Sequence, residues 1–167
     1  MHRVVTALQP SGWDGIAGRS CAQGEREGNM LGRLNHVGIA TPSIEEAVKV
    51  YRDLLGARLV REPFDLPAQG VRVCFIDTPN SQIELIEPLG ETSPILKFLE
   101  KNPMGGQHHV CFEVPDIHAA AADMKAKGAT VLGEPRTGAH GTPVIFVHPR
   151  HMGGVLVELM ETPADAH

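Results

Sequence analysis

The chain has 167 residues, 42% of them hydrophobic and 21% charged, with a formal net charge of −5. That is the length of one ordinary domain with apolar content enough for a core. The acidic balance gives no electrostatic footprint for nucleic acid, and no apolar run approaches the roughly 20 residues of a helical membrane span, so neither a nucleic-acid nor a membrane partner is expected.

Residues 1–31 hold the Gly-rich stretches "PSGWDGIAG" and "GEREGN" and no lasting period, and read as a flexible extension. They lack the apolar h-region of a secretory signal. Arg3 and Arg19, with Asp14 the one acidic residue before Glu25, also suit a mitochondrial presequence. The expected location is therefore cytoplasmic for a bacterial chain and the mitochondrial matrix for a eukaryotic one. Cys21, Cys74 and Cys111 are odd in number and form no CxxC pair, so reduced thiols are expected.

The folded part is expected over 32–162, with a short tail at 163–167. It opens on "HVGIATPSIEEA" (36–47), a strand running into a helix. Ser43 and Glu46 make a capping-box pattern. Ile44, Ala47, Val48 and Tyr51 recur on one helical face, and Gly56 stops the helix. Strand-like segments follow, among them "CFIDTP" (74–79) and "QIELI" (82–86), which completes a strand–helix–strand–strand–strand unit over 34–88. A connector helix comes next in "SPILKFLEKN" (93–102), with Ser93 as N-cap and Pro94 at the first helical position. Its Ile95, Leu96, Phe98 and Leu99 suit either a lid on the core or a contact with a second copy.

The pattern then returns. "HVCFEVPDIHAA" (109–120) repeats the opening motif, with His109 standing 73 residues after His36. Asp116 caps the second helix and Gly128 stops it. "IFVHP" (145–149) answers "CFIDTP", and "LVELM" (156–160) answers "QIELI". The second unit spans 107–161. The fold class is α+β: two tandem βαβββ modules forming a cupped mixed sheet, with helices on its outer face.

Strand parity selects the polar candidates. Val37 and Ile39 alternate with His36, and Val110 and Phe112 with His109. The large apolar residues must face the helices, so both histidines face away from them. Glu84 between Ile83 and Leu85, and Glu158 between Val157 and Leu159, do the same. His108 is expected to look the opposite way from His109. His140, His148 and His151 lack repeat partners and are expected on the surface or as supports. Cys111 shares the histidine side, as a small filler or an extra ligand.

If the modules pack as a pseudo-twofold pair, His36, Glu84, His109 and Glu158 meet in one cleft. Two carboxylates there would repel, and a divalent cation removes that cost. Two imidazoles and two carboxylates suit Zn, Co, Mn, Ni or Fe. Four protein ligands around an ion that prefers six leave room for water or a chelating substrate.

Two βαβββ units carrying H…E…H…E resemble the vicinal oxygen chelate superfamily. The segments "GRLNHVGIATPSIEEAVKVYRDLLGA", "ELIEPLGETSPILKFLEKN", "GGQHHVCFEV" and "GAHGTPVIFVHPRHMGGVLVELME" closely resemble its methylmalonyl-CoA epimerase family, from Leu31 to Glu161. The resemblance implies an isomerase acting on an acyl-CoA, methylmalonyl-CoA, by proton removal and return through an enolate. It implies His36, Glu84, His109 and Glu158 as metal ligands, though some family members have Gln in place of Glu84. It further implies cobalt(II), with Mn2+, Ni2+, Zn2+ or Mg2+ as alternatives, and a homodimer. Glu158 is the implied acid/base. A second base that some members carry on the third strand falls here on Val73, so Glu84 is expected to serve instead, with a metal-bound water as the other option. Lys97, Lys101, Arg72, Arg136 and Arg150 are the cations available for the CoA phosphates, and the sequence singles out none. Glyoxalase I, an extradiol dioxygenase and a metal-free binding protein of the same superfamily are the competing readings.

Overall fold

The computed structural model of the protein describes residues 30–164. The elements are β1 (Leu34–Ala40), α1 (Ile44–Leu55), β2 (Phe64–Leu66), β3 (Val71–Asp77), β4 (Gln82–Pro88), α2 (Leu96–Lys101), β5 (Gly106–Val114), α3 (Ile117–Ala126), β6 (Val131–Thr137), β7 (Pro143–Val147) and β8 (Val157–Glu161). Short 3-10 turns cover Pro67–Gln69 and Pro149–His151. The expected extension lies, up to residue 29 and with Cys21, outside the described residues.

All eight strands join one curled mixed sheet in the order β2-β3-β4-β1-β5-β8-β7-β6. The order reads alike from both ends, as a duplicated unit demands. β1 and β5 run antiparallel at the centre, and each is flanked by the last strand of its own module in parallel, β4 and β8. The βαβββ units are therefore as the repeat predicts.

The helices form where the caps said they would. Ser43 Oγ accepts the Glu46 N–H at 3.3 Å, and Asp116 Oδ1 accepts from His118 and Ala119 at 2.8 and 2.9 Å. The capping box of α1 is only half made, because the Glu46 carboxylate turns to Lys49 at 2.6 Å. The first helical N–H groups find another acceptor. Ile44 N–H donates to Glu87 Oε2 at 2.6 Å, and Ile117 N–H to Glu161 Oε2 at 3.0 Å. Each glutamate lies at or next to the end of the last strand of its module, so helix and sheet are tied at matching points. Gly56, at φ 70°, takes the left-handed turn that closes α1.

The connector differs from expectation. It begins at Leu96, Ile95 stands at its cap, and the Ser93 hydroxyl bonds nothing. Ser93 contributes its carbonyl instead, accepting the Leu96 N–H at 3.2 Å in a tight turn through Pro94. That turn drives Ile95 into the cluster of Ala40, Val71, Val73 and Phe75, with Phe98 and Leu99 packed beside it. The connector's apolar side lies on the core.

The sheet separates its faces by parity. On the outer face Ile39, Ile83 and Leu85 pack on α1, and Val110, Phe112, Val157 and Leu159 pack on α3. The alternate residues point into the concave face, which includes His36, Glu84, His109 and Glu158.

Candidate metal centre

The four polar residues that parity selected meet. His36 comes from β1, Glu84 from β4, His109 from β5 and Glu158 from β8, and one ligand atom from each lies within 4.8 Å of the others. His36 Nε2 is 3.5 Å from Glu84 Oε2 and 3.4 Å from Glu158 Oε2. His109 Nε2 is 3.3 and 3.1 Å from the same oxygens, and the two Nε2 atoms are 3.2 Å apart. An ion held at roughly 2.0–2.2 Å by such donors separates them by about 3 Å or slightly more. The spacing and the N/O donor set thus fit a divalent cation. None of the four is more than 5% exposed, so bulk water solvates the two carboxylates poorly.

Backbone detail clears the space. Gly38 pairs with His109 across the β1–β5 junction, and a Cβ at Gly38 would overlap the His109 ring. Gly38 is not in the left-handed region, so the requirement is steric alone. The same junction carries two bulges. Asn35 is one residue too many between Leu34 and His36, and His108 is one too many between Gln107 and His109.

The second bulge corrects the parity argument for His108. Both His108 and His109 line the same cavity, and their Nδ1 atoms are 3.0 Å apart. The extra residue breaks the two-residue alternation and turns His108 onto the concave face. Asn35 was missed altogether, although the 73-residue repeat pairs it with His108. Its Oδ1 lies 2.9 Å from His36 Nδ1. Each candidate ligand histidine thus has its Nδ1 engaged and its Nε2 turned to the cluster.

The unpaired histidines are supports. His140 stacks on His36 with centroids 5.5 Å apart and 14° between the rings, packs on Phe75, and lies 2.7 Å from Gln82 Oε1. His148 Nδ1 accepts the Arg150 N–H, and His151 Nδ1 accepts the Thr130 N–H. Cys111 is fully buried against Val144 and Met160, outside the four-residue cluster, and burial pushes its thiol well up. It is the small filler.

A cavity of about 290 Å3 opens over the His109 side of the cluster. Glu84, Glu158, His108 and His109 are its polar floor, and Val73, Ile86, Ile95 and Phe146 are among its apolar walls. His36 is covered by His140 and does not line it. Of the five cations that the sequence offered, Arg136 lines this cavity, with its guanidinium 5.4 Å from the Phe146 ring centre.

The cluster shifts its own protons. Burial alone would lower the His109 pKa, but hydrogen bonds to Glu158 and Glu84 outweigh it and carry it to about 9. Burial would raise Glu158, but His109 and His36 hold it well below the carboxylate range. The two shifts are one interaction seen from both ends. Burial, and then the charge on His109, lower His108 to about 4.

Residues 35–146 match the family described as Glyoxalase/Bleomycin resistance protein/Dioxygenase superfamily. An ethylmalonyl-CoA/methylmalonyl-CoA epimerase of Cereibacter sphaeroides is 58% identical over 132 residues, which is 78% of this chain and 98% of that relative. The mitochondrial methylmalonyl-CoA epimerase of Mus musculus is 55% identical over 130 residues, 77% of this chain and 72% of the relative. A solved structure of a variant of the Streptomyces coelicolor methylmalonyl-CoA epimerase, in complex with 2-nitronate-propionyl-CoA, superposes with a TM-score of 0.73. It is 38% identical, and the match covers 80% of this chain and 96% of that one.

Two outcomes are expected. In chelator-treated protein the His109 proton does the work of a cation. Its stabilisation is complete below the ordinary pKa of 6.5 and is lost as pH rises through about 9. Melting followed by circular dichroism should show that decline, worth up to roughly 3 kcal/mol, and added divalent ion should offset it by binding the deprotonated ring. A flat profile over that window would exclude the shared proton. Gly38→Ala should fold yet take up metal roughly tenfold or more weakly, because a displaced His109 no longer faces the cluster; elemental analysis after dialysis reads this directly.

Proposed function

The chain belongs to the Glyoxalase/Bleomycin resistance protein/Dioxygenase superfamily, and we propose that within it the chain is a methylmalonyl-CoA epimerase, interconverting the 2R and 2S forms of that thioester. The observation that carries this reading is the 58% identity to an epimerase matched over 98% of its length. That relative is named for ethylmalonyl-CoA as well, so a C2 ethyl group is the first substrate extension to assay.

The reacting carbon lies between a thioester carbonyl and a carboxylate. Taking its proton places a second negative charge beside the first. His36, Glu84, His109 and Glu158 are the proposed ligands of a divalent ion, with cobalt(II) the proposed species and Mn2+, Ni2+, Zn2+ or Mg2+ alternatives. Such an ion supplies Lewis-acid stabilisation of the developing enolate, worth several kcal/mol.

Inversion also needs a proton removed on one face and returned on the other. Glu84 and Glu158 both line the cavity and stand at equivalent places in the two modules. Each turns Oε2 toward the histidines, which leaves Oε1 for the C2 proton. Glu158 is ionised at neutral pH and so starts as the base in one direction. Val73 lines the cavity from β3 and brings no carboxylate, which favours Glu84 as the second acid/base. The apolar walls limit the water that could compete to reprotonate the enolate. Arg136 is the proposed contact for an anionic part of the substrate.

A homodimer belongs to the same reading: Val50, Leu54 and Met104 remain exposed, whereas the connector helix packs inward. No helix of the described residues is long and apolar enough to cross a membrane. The proposed location, the cytoplasm or the mitochondrial matrix, rests on the bacterial and mitochondrial relatives.

Proton NMR of methylmalonyl-CoA in heavy water tests the chemistry. The wild-type protein loaded with cobalt(II) should exchange the C2 hydrogen and interconvert the epimers. Glu84→Gln and Glu158→Gln should each lose inversion by about 100-fold or more while washing out the hydrogen of one epimer only. Full inversion by a metal-loaded Glu84→Gln variant would remove Glu84 from that role. Turnover of the methylglyoxal–glutathione hemithioacetal without any of methylmalonyl-CoA would replace the epimerase by a glyoxalase I. For Arg136→Gln, KM for the CoA thioester should rise by about tenfold with kcat nearly unchanged. The rise should vanish with methylmalonyl-pantetheine if Arg136 meets the phosphates, and persist if it meets the carboxylate.

A further inference from the structure

The two bulges of the β1–β5 junction place one side chain behind each candidate ligand histidine, and the two are chemically unequal. Behind His36 the contacts form a chain. Asn35 Oδ1 lies 2.9 Å from His36 Nδ1, and Asn35 Nδ2 donates to Glu113 Oε1 at 2.7 Å. Arg33 Nε donates to that same oxygen at 2.7 Å. The carboxylate fixes the amide: with Nδ2 committed to Glu113, Oδ1 is what remains for His36, and His36 must donate its Nδ1–H to it. The Nε2 lone pair is thereby left facing Glu84, Glu158 and His109. Behind His109 stands His108, an imidazole with no carboxylate hydrogen-bonded to it among the described residues.

Glu113 is the unusual member. Its residue is 4% exposed, and neither the core nor the four-residue cluster needs it. A buried carboxylate is costly unless its partners are well placed. Its partners here are one exposed arginine and the amide that touches His36.

We infer that Asn35 and Glu113 are positioning residues of the metal site, acting together to fix the tautomer, orientation and donor strength of His36. The Glu113 charge polarises the Asn35 amide, and the amide polarises the imidazole through Nδ1. His36 is then the firmer of the two histidine donors, and His109, whose partner has no carboxylate behind it, the more easily released. This rests on the metal reading of the preceding subsection.

Cobalt(II) uptake tests it without any turnover. Affinity is read by competition with a chromogenic chelator, and the ligand field by the visible absorption of bound cobalt. Asn35→Leu keeps the bulk and removes the acceptor, and should weaken binding by about 10–100-fold and move the visible bands. Glu113→Gln keeps the shape and can still accept from Asn35, so it should fall between wild type and Asn35→Leu on both readouts. Glu134→Gln, an exposed carboxylate remote from the chain, should match wild type. Circular dichroism establishes that each variant is folded, and should Asn35→Leu fail to fold, Glu113→Gln alone decides. Folded variants with wild-type affinity and unshifted bands would overturn the inference. A wild-type protein that takes up no cobalt would overturn the metal reading itself, and this inference with it.

Discussion

Two ionised carboxylates cannot stand close together in a buried pocket unless positive charge stands between them. Glu84 and Glu158 aim their Oε2 atoms at the same pair of imidazole nitrogens, and each is 5% exposed. In the protein alone the compensation comes from His109, whose proton is held up to about 9 against the pull of burial. A protonated imidazole and the proposed divalent ion would thus be interchangeable answers to one electrostatic demand, competing for the same nitrogens. The surrounding architecture serves that demand. The central β1–β5 pair, the flanking β4 and β8, and the helices behind them bring four donors from four strands to one point.

The donors were legible because two regularities reinforce each other. Alternation along a strand assigns each residue to a face, and duplication says which assignments matter. His36, Glu84, His109 and Glu158 satisfy both. What escaped was whatever breaks the alternation or crosses between modules. A bulge adds one residue to one strand and leaves no mark in composition, so His108 was set on the wrong face and Asn35 was passed over. The glutamates that hold the first N–H of each helix, Glu87 and Glu161, were spaced like the rest of the repeat, but helix capping is usually sought within four residues, not 43 or 44 away. His140 arrives from the β6–β7 loop of the other module to stack on His36, and no local pattern announces such a contact. Arg136 was one of five candidate cations until the cavity wall distinguished it.

A duplicated frame gives a symmetric set of donors, but an enzyme substrate is not symmetric. The proposed inversion needs both conditions at once: two acid/bases in mirrored places, and a pocket that accepts the thioester one way round. The first is inherited from the repeat, as Glu84 and Glu158. The second requires the halves to differ. His140 and Phe75 fill the space over His36, whereas the matching space over His109 stays open as the cavity. The mirrored carboxylates thus both line this one cavity, with Val73 and Phe146 among its apolar flanks and Arg136 as its cationic side.

The same tension is visible at the level of single atoms across the central strand pair. Each candidate ligand imidazole lies over the opposite strand and needs a small residue beneath it. His109 faces Gly38 and His36 faces Cys111, positions that the repeat makes equivalent. A Cβ at Gly38 would overlap the His109 ring, so that ring lies nearly against the backbone. At the matching place the strand tolerates Cys111, whose side chain turns to Val144 and Met160 instead of the cluster. His36 therefore sits where a Cβ can exist, backed by an amide and a buried carboxylate. His109 sits where none can, backed by a neutral ring in the wall of the cavity. On the proposed reading, the half of the site that would meet the substrate is the half whose histidine is less firmly held, and a bound ion that had to admit and release a chelating ligand would gain from one such partner.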